Sequence, residues 1–302
     1  MFKQTIGIYL PKSCVVPDLI DGEYKVRMVR EDEDLRIAPD CLVGAIIQEL
    51  PRLLNEIILV YSPTTNTILK NAVAYFIDNT QLLPDGTNSN KKSVNSISNW
   101  DVSSITDFSN AFATGYPDFN SDISQWNMSN ATNTRALFFS CESFNQNIGN
   151  WDMSNVTDID FMFAVCSSFN QDIGNWNLVN VTSAQGVFAS CTAFNQTVGN
   201  WNMSKVTNMI SMFQDASSFD QNIGSWDTSN VTKMAYMFKG ASIFFQDIRI
   251  WNVSNVDVNY PGGGFTGMFE GATRMLNAYP QLATSDGIVE WFASSDGGIF
   301  IS

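Results

Sequence analysis

Tryptophan spacing constrains this chain more than any other feature. The eight tryptophans stand at 100, 126, 151, 176, 201, 226, 251 and 291; the first step is 26 residues and the next five are 25. A fixed period in the range of 20–50 residues marks a repeat architecture. One unit, from Trp151, is WDMSNVTDIDFMFAVCSSFNQDIGN, and the unit from Trp201 is WNMSKVTNMISMFQDASSFDQNIGS. Other residues then fall into columns. One phenylalanine column holds Phe112, Phe138, Phe163, Phe188, Phe213 and Phe238; a second holds Phe119, Phe144, Phe169, Phe194, Phe219 and Phe244. Ile123, Ile148, Ile173, Val198, Ile223 and Ile248 form a third apolar column, and Cys141, Cys166 and Cys191 share one with Ala216 and Ala241.

A 25-residue coil cannot bury enough apolar surface to offset the entropy of ordering it, so stability must come from stacked neighbours. Two periods coexist in each coil. Val231, Met234, Met237, Phe238 and Ala241 recur at three and four, which predicts a short inward-facing helix. The segment FNQDIGNW predicts a short strand and a turn, with Asn145, Asn170 and Asn195 and the glutamines beside them forming side-chain ladders. The expected fold class is therefore an α/β repeat solenoid, short strand plus short helix per coil. The column residues Trp126, Trp151, Trp176, Trp201, Trp226 and Trp251, with Phe163, Phe188, Phe213 and Phe238, read as its structural spine.

The pattern W-[DN]-x-S-N-V-T-x-M-x-x-M-F-x-x-[AC]-S-S-F-N-Q-x-I-x-x-W resembles the 25-residue repeat of the BspA-like leucine-rich-repeat surface proteins, in the form common in mycoplasma-type surface proteins. The resemblance covers about residues 95–256. It implies a leucine-rich-repeat-like fold and a surface or secreted protein for adhesion and recognition; similar repeats also occur in unicellular eukaryotes and large DNA viruses.

The flanks divide the chain further. Residues 1–62 do not match the repeat; the runs TIGIYL and YKVRMV, the acidic patch Glu31–Asp34, and an apolar segment from Cys41 to Tyr61 with Asp40 and Pro51 as helix starts suggest a small α+β domain. Residues 63–99 read as an N-terminal cap, with Ile68, Leu69, Ala72, Val73, Tyr75 and Phe76 on an amphipathic helix before a polar loop. The solenoid occupies 100–256, and 257–302 reads as a C-terminal cap in which Met268–Phe269 echoes the Met-Phe column.

Composition limits the chemistry. The 302 residues contain no histidine, 16 Lys plus Arg and 30 Asp plus Glu, for a net charge of -14. That field repels a phosphate backbone, so nucleic acid is not the expected partner. Without histidine the commonest general base and metal ligand are missing, and no catalytic residue, cofactor or metal is assigned. The five cysteines form no CxxC; the Cys141, Cys166 and Cys191 column reads as buried thiols in preference to a disulfide or soft-metal site, since alanine replaces cysteine in it. Asx residues after each tryptophan read as turn formers in preference to calcium ligands. Eight N-x-S/T sequons, at Asn127, Asn130, Asn155, Asn180, Asn195, Asn202, Asn230 and Asn252, mostly follow from the repeat. No convincing export signal opens the chain and no run of 18 apolar residues spans a membrane.

Columns that change from coil to coil are the candidate binding surface: Asp107, Asn133, Asp158, Ser183, Asn208 and Lys233 in one, and Ser109, Arg135, Asp160, Gln185, Ile210 and Ala235 in the other. Both are expected to be exposed, and Asp158 and Asp160 to be solvated without a partner. The functional expectation is a non-enzymatic module recognising a protein or glycan. The alternative is a structural component of a surface layer or virus particle, self-associating or docked through residues 1–62.

Overall fold

The structure, a computed structural model, describes residues 6–7, 25–26, 63–77, 97–113, 115–258 and 264–293. The chain divides into two compact units, 1–59 with 91–94 and 60–90 with 95–302. In the first, strands β1 (Ile6–Gly7) and β2 (Lys25–Val26) pair antiparallel, Ile6 against Val26 and Gly7 against Lys25. They fall within the two strand-like runs. The acidic patch, the segment 41–61, Cys14, Cys41 and the polar loop after residue 77 lie outside the described residues.

In the second unit, successive 25-residue turns stack in register. Parallel bridges join Asp107 to Asn133, Asn133 to Asp158, Asp158 to Ser183, Ser183 to Asn208, Asn208 to Lys233 and Lys233 to Gly264. From there the backbone follows a strict alternation. Phe161, Phe163 and Val165 donate their N–H groups to Gln185, Val187 and Ala189 of the next turn at 2.7–3.0 Å, while Met162, Ala164 and Cys166 donate to the residue three back. The helix expected at this place is thus replaced by a chain of tight turns. A segment so short is marginal as a helix, and here half its donors bond to the neighbouring turn instead. Alternation requires a left-handed residue at two columns, Asn110, Ala136, Phe161, Gly186, Ser211, Tyr236 and Gly267 in one and Ser140, Val165, Ser190, Asp215, Gly240 and Gly271 in the other. The strand expected in FNQDIGN is also absent; parallel pairing occurs instead at the variable column that begins with Asp107.

Side chains follow the same register. Phe138, Phe163, Phe188, Phe213 and Phe238 stack face to face at 5.6–5.8 Å, and each lies 3.9–4.1 Å from the second-column phenylalanine of its own turn. Tryptophans are buried, and the indole N–H groups of Trp126, Trp151, Trp176, Trp201, Trp226 and Trp251 donate to the Ile-column carbonyl of the preceding turn, as Trp176 does to Ile148 at 3.1 Å. Asn145 Oδ1 accepts from Asn170 N–H and Gln171 Nε2, both at 2.9 Å, so the asparagine ladder is present. Gly149, Gly174, Gly199 and Gly224 sit where a Cβ would meet the next turn's carbonyl at 2.7 Å or less. Arg249 takes this column's place in the last full turn.

Both ends are covered. Helix α1 (Asn66–Ile77) buries Leu69 and Val73 against the first turn. The stack runs past residue 256: Phe269 stacks on Phe238 at 5.6 Å, so Gly264–Ala272 forms a further turn within the segment expected to be cap. Six additional residues precede it, since its spacing from Lys233 is 31 instead of 25. Helix α2 (Thr273–Ala278), a 3-10 turn (Pro280–Ala283) and helix α3 (Ser285–Ala293) follow. Arg274 fastens them, pairing with Asp220 at 3.0 Å and lying 4.7 Å above the Phe245 ring.

Candidate functional site: the variable ladder face

The first variable column supplies the bridges themselves. Its Asx members close local turns: Asp107 Oδ1 accepts from Ser109 N–H at 2.9 Å, Asn133 from Arg135 at 3.0 Å, Asp158 from Asp160 at 2.8 Å and Asn208 from Ile210 at 3.1 Å. All six members, Ser183 and Lys233 included, are half-buried. They are less open than a free surface column would be, because five of them have backbones bridged on both sides and Asp107 is bridged to Asn133 and bonded by Asn66.

The second column corrects the expectation more sharply. Asp160 is buried at 5% exposure. Arg135 Nη1 donates to its Oδ2 at 2.6 Å; Ser183 Oγ donates to its Oδ1 at 2.6 Å, and Gln185 N–H to the same oxygen at 2.7 Å. The reason lies one turn ahead. Serine at 183 is too short to close the Asx turn that its column makes elsewhere, and Asp160 reaches across to supply the missing acceptor. Ala235 is fully buried. Asn208 Nδ2 extends the network to Ser183 Oγ at 3.3 Å and Gln185 Oε1 at 3.2 Å. Arg135, Asp158, Asp160, Ser183, Gln185 and Asn208 therefore form one polar cluster spanning four turns, which Asn133 joins through the Arg135 N–H, while Asp107 and Lys233 lie on the same face. Burial pushes the Asp158 carboxyl up, helped by the Asp160 charge and opposed by the Asp160 N–H and by Arg135, 3.9 Å away.

Three further residues on this face escaped the sequence reading. Phe161, Val165 and Tyr236 occupy left-handed positions at φ 56, 66 and 58. Arg135 lies 5.2 Å above the Phe161 ring, and Lys239 lies 5.5 Å from the Tyr236 ring while pairing with Glu270 at 3.0 Å. Each ring presses on a glycine of the next turn: a Cβ at Gly186 or Gly267 would stand 2.6 Å from it. The signal is a bulky residue, aromatic at 161 and 236 and β-branched at 165, in columns otherwise filled by Gly, Ser, Asn, Ala or Asp. It was hidden while the segment read as helix.

Other candidates resolve into the core. The tryptophan column is buried and offers no stacking platform. Cys141, Cys166 and Cys191 are buried free thiols whose S–H groups donate to the carbonyls of Phe112, Phe138 and Phe163. Burial pushes the Cys141 thiol up to about 12 and its two neighbours upward as well, which leaves them without thiolate character. Among the described residues, no group of three His, Cys, Asp or Glu side chains could hold a metal ion, and no helix is long and apolar enough to cross a membrane.

Turns stacked at a fixed period, hydrogen-bonded through backbone and asparagine side chains, define a repeat protein. The chain belongs to the family described as "Mycoplasma protein of unknown function, DUF285", which matches it twice, over residues 85–199 and 182–285. No curated protein and no solved structure matches it.

Proposed function

We propose that this chain is a non-enzymatic recognition module of the BspA-like, leucine-rich-repeat-like solenoid kind, and that its ladder face binds a protein or glycan at a cell surface. One observation carries this reading. Phe161, Val165 and Tyr236 hold left-handed backbone where Gly186, Gly240, Gly267 and Gly271 do the same job without strain. A bulky residue there costs roughly 1–2 kcal/mol, and strain kept against an easy alternative points to a functional demand. The strained aromatics stand beside Arg135, Gln185 and Lys239, the mixture of rings and Arg that dominates binding hot spots.

The test replaces Phe161 and Tyr236 by glycine, together and apart. The fold should hold, since glycine suits both positions. Binding to cultured cells and to immobilised glycans and matrix proteins should fall at least about tenfold, the effect of losing a single hot-spot anchor. A folded double variant that binds as the wild type does would overturn the reading, as would the absence of binding to every such surface.

A further inference from the structure

The two ends of the stack differ chemically. Along the ladder segment that follows the bridged column, alternate N–H groups point toward the following turn and alternate carbonyls toward the preceding one, although one threonine N–H per turn donates backward, as Thr157 does to Thr132. The first turn therefore presents acceptors, and Asn66 Nδ2 takes two of them, Asp107 O at 3.1 Å and Ser109 O at 3.0 Å. The last turn presents donors. In the turn before it, Met234, Tyr236, Phe238 and Gly240 donate forward to Gly264, Thr266, Met268 and Glu270. Their counterparts in the last turn are the N–H groups of Phe265, Gly267, Phe269 and Gly271, and among the described residues these meet no acceptor.

Helix α3 covers this end with aromatic rings. Trp291 meets Phe269 edge-on at 6.3 Å and Phe292 stacks on Phe265 at 5.6 Å. Phe265 and Phe269 are buried, so their N–H groups are withheld from water as well as from acceptors, a costly state for a backbone donor. Glycine at 264, 267 and 271 leaves the edge bare where the preceding turn carries Lys233 and Tyr236. Sheet edges are usually guarded by charged side chains, proline or bulges; α3 is the cover here.

We propose that this edge docks a second copy of the chain head to tail, with α3 of one copy and α1 of the other moving aside and the carbonyls of Asp107 and Ser109, released from Asn66 in the second copy, supplying the missing acceptors. Both ends are turns of one ladder, so donors and acceptors share a spacing. The rings that would meet, Phe269 against Phe112, belong to the column that stacks at every interior step, as Phe238 does on Phe269. Such a contact is heterologous and does not close, so it builds a filament. The cover at the acceptor end makes two hydrogen bonds to the edge, whereas among the described residues the four N–H groups of the donor edge receive no acceptor from their cover, so the donor end opens first.

Sedimentation velocity of the full chain over a concentration series, with amide hydrogen exchange on the same samples, tests this. Wild type should associate at high concentration and gain protection at residues 265–271. Trp291→Ala, which loosens α3, should associate at a concentration about tenfold lower, and adding Asn66→Ala should lower it again. A folded Trp291→Ala protein that stays monomeric throughout overturns the proposal. If that variant does not fold, wild type decides: no concentration-dependent protection at 265–271, or protection only on the ladder face, overturns it equally.

Discussion

Asn66 and Asp107 are joined by a side-chain amide that stands in for a missing turn. Asn66 Nδ2 donates to the Asp107 carbonyl at 3.1 Å and to that of Ser109 at 3.0 Å. In each later turn the equivalent carbonyls accept from backbone, as Asp158 and Asp160 do from Thr134 and Ala136. Asn66→Ala should cost about 1–3 kcal/mol, the penalty for stranding polar groups. Asn66→Asp should cost more, because it sets a carboxylate against two carbonyls. Chemical denaturation gives the total, and hydrogen exchange should show the loss concentrated between residues 105 and 113.

Asp160 and Ser183 make a compensated pair, which a double-mutant cycle can expose. Asp160→Ala strands Gln185 N–H, Ser183 Oγ and Arg135 together. Half-exposure of Arg135 screens its share, so the expected loss is about 2 kcal/mol, below that for a fully buried pair. Ser183→Asn restores the Asx turn that Asn133 and Asn208 make. Asp160→Ala in that background should therefore cost clearly less, and equal losses in both backgrounds would refute the compensation.

The period, the apolar columns, the asparagine ladder and helix α1 were all legible in the sequence, because each depends on what recurs. What was not legible depends on geometry between turns. Successive i to i−3 turns place Val231, Met234, Met237 and Phe238 inward at the same intervals as a helix, so apolar spacing alone cannot separate the two. Asp160 looks solvated when only its own turn is read, since Arg135 and Gln185 lie 25 residues away on either side. The final turn was hidden by the six additional residues before Gly264.

Val165 tests the turn assignment directly. A β-branched residue at φ 66 is strained, and asparagine tolerates that region. Val165→Asn should raise stability by about 1 kcal/mol. The reverse change, Gly240→Val, should be strongly destabilising, since the Asp215 carboxylate lies where its Cβ would go and φ is 69. Paired denaturation curves decide it; a helix in this segment would give neither result.

Asp152 and Asp227 set part of the acid limb. The hydroxyl and backbone N–H of Ser154 and Ser229 hold the two carboxyls below the usual 3.8. A carboxyl lowered on folding adds stability above its unfolded value, and that stability is lost as pH falls through the folded one. Asn202 and Asn252 make the same backbone bond at 3.1 Å without titrating. Asp152→Asn with Asp227→Asn should change little at pH 7 and should flatten the loss of stability below pH 3.8.

Asp158 carries the opposite sign. Its carboxyl is raised, chiefly by burial and further by Asp160. The folded protein therefore binds this proton more tightly than the unfolded chain. The destabilising effect of the charge is present in full above the folded pKa and fades as pH falls toward 3.8. Asp158→Asn keeps the oxygen that accepts from Asp160 N–H, as Asn133 and Asn208 do in their turns, and removes the buried charge. It should stabilise the protein at pH 7, and the gain should shrink steadily on acidification. A loss of stability at neutral pH would instead show that attraction to Arg135, 3.9 Å away, outweighs burial at this site.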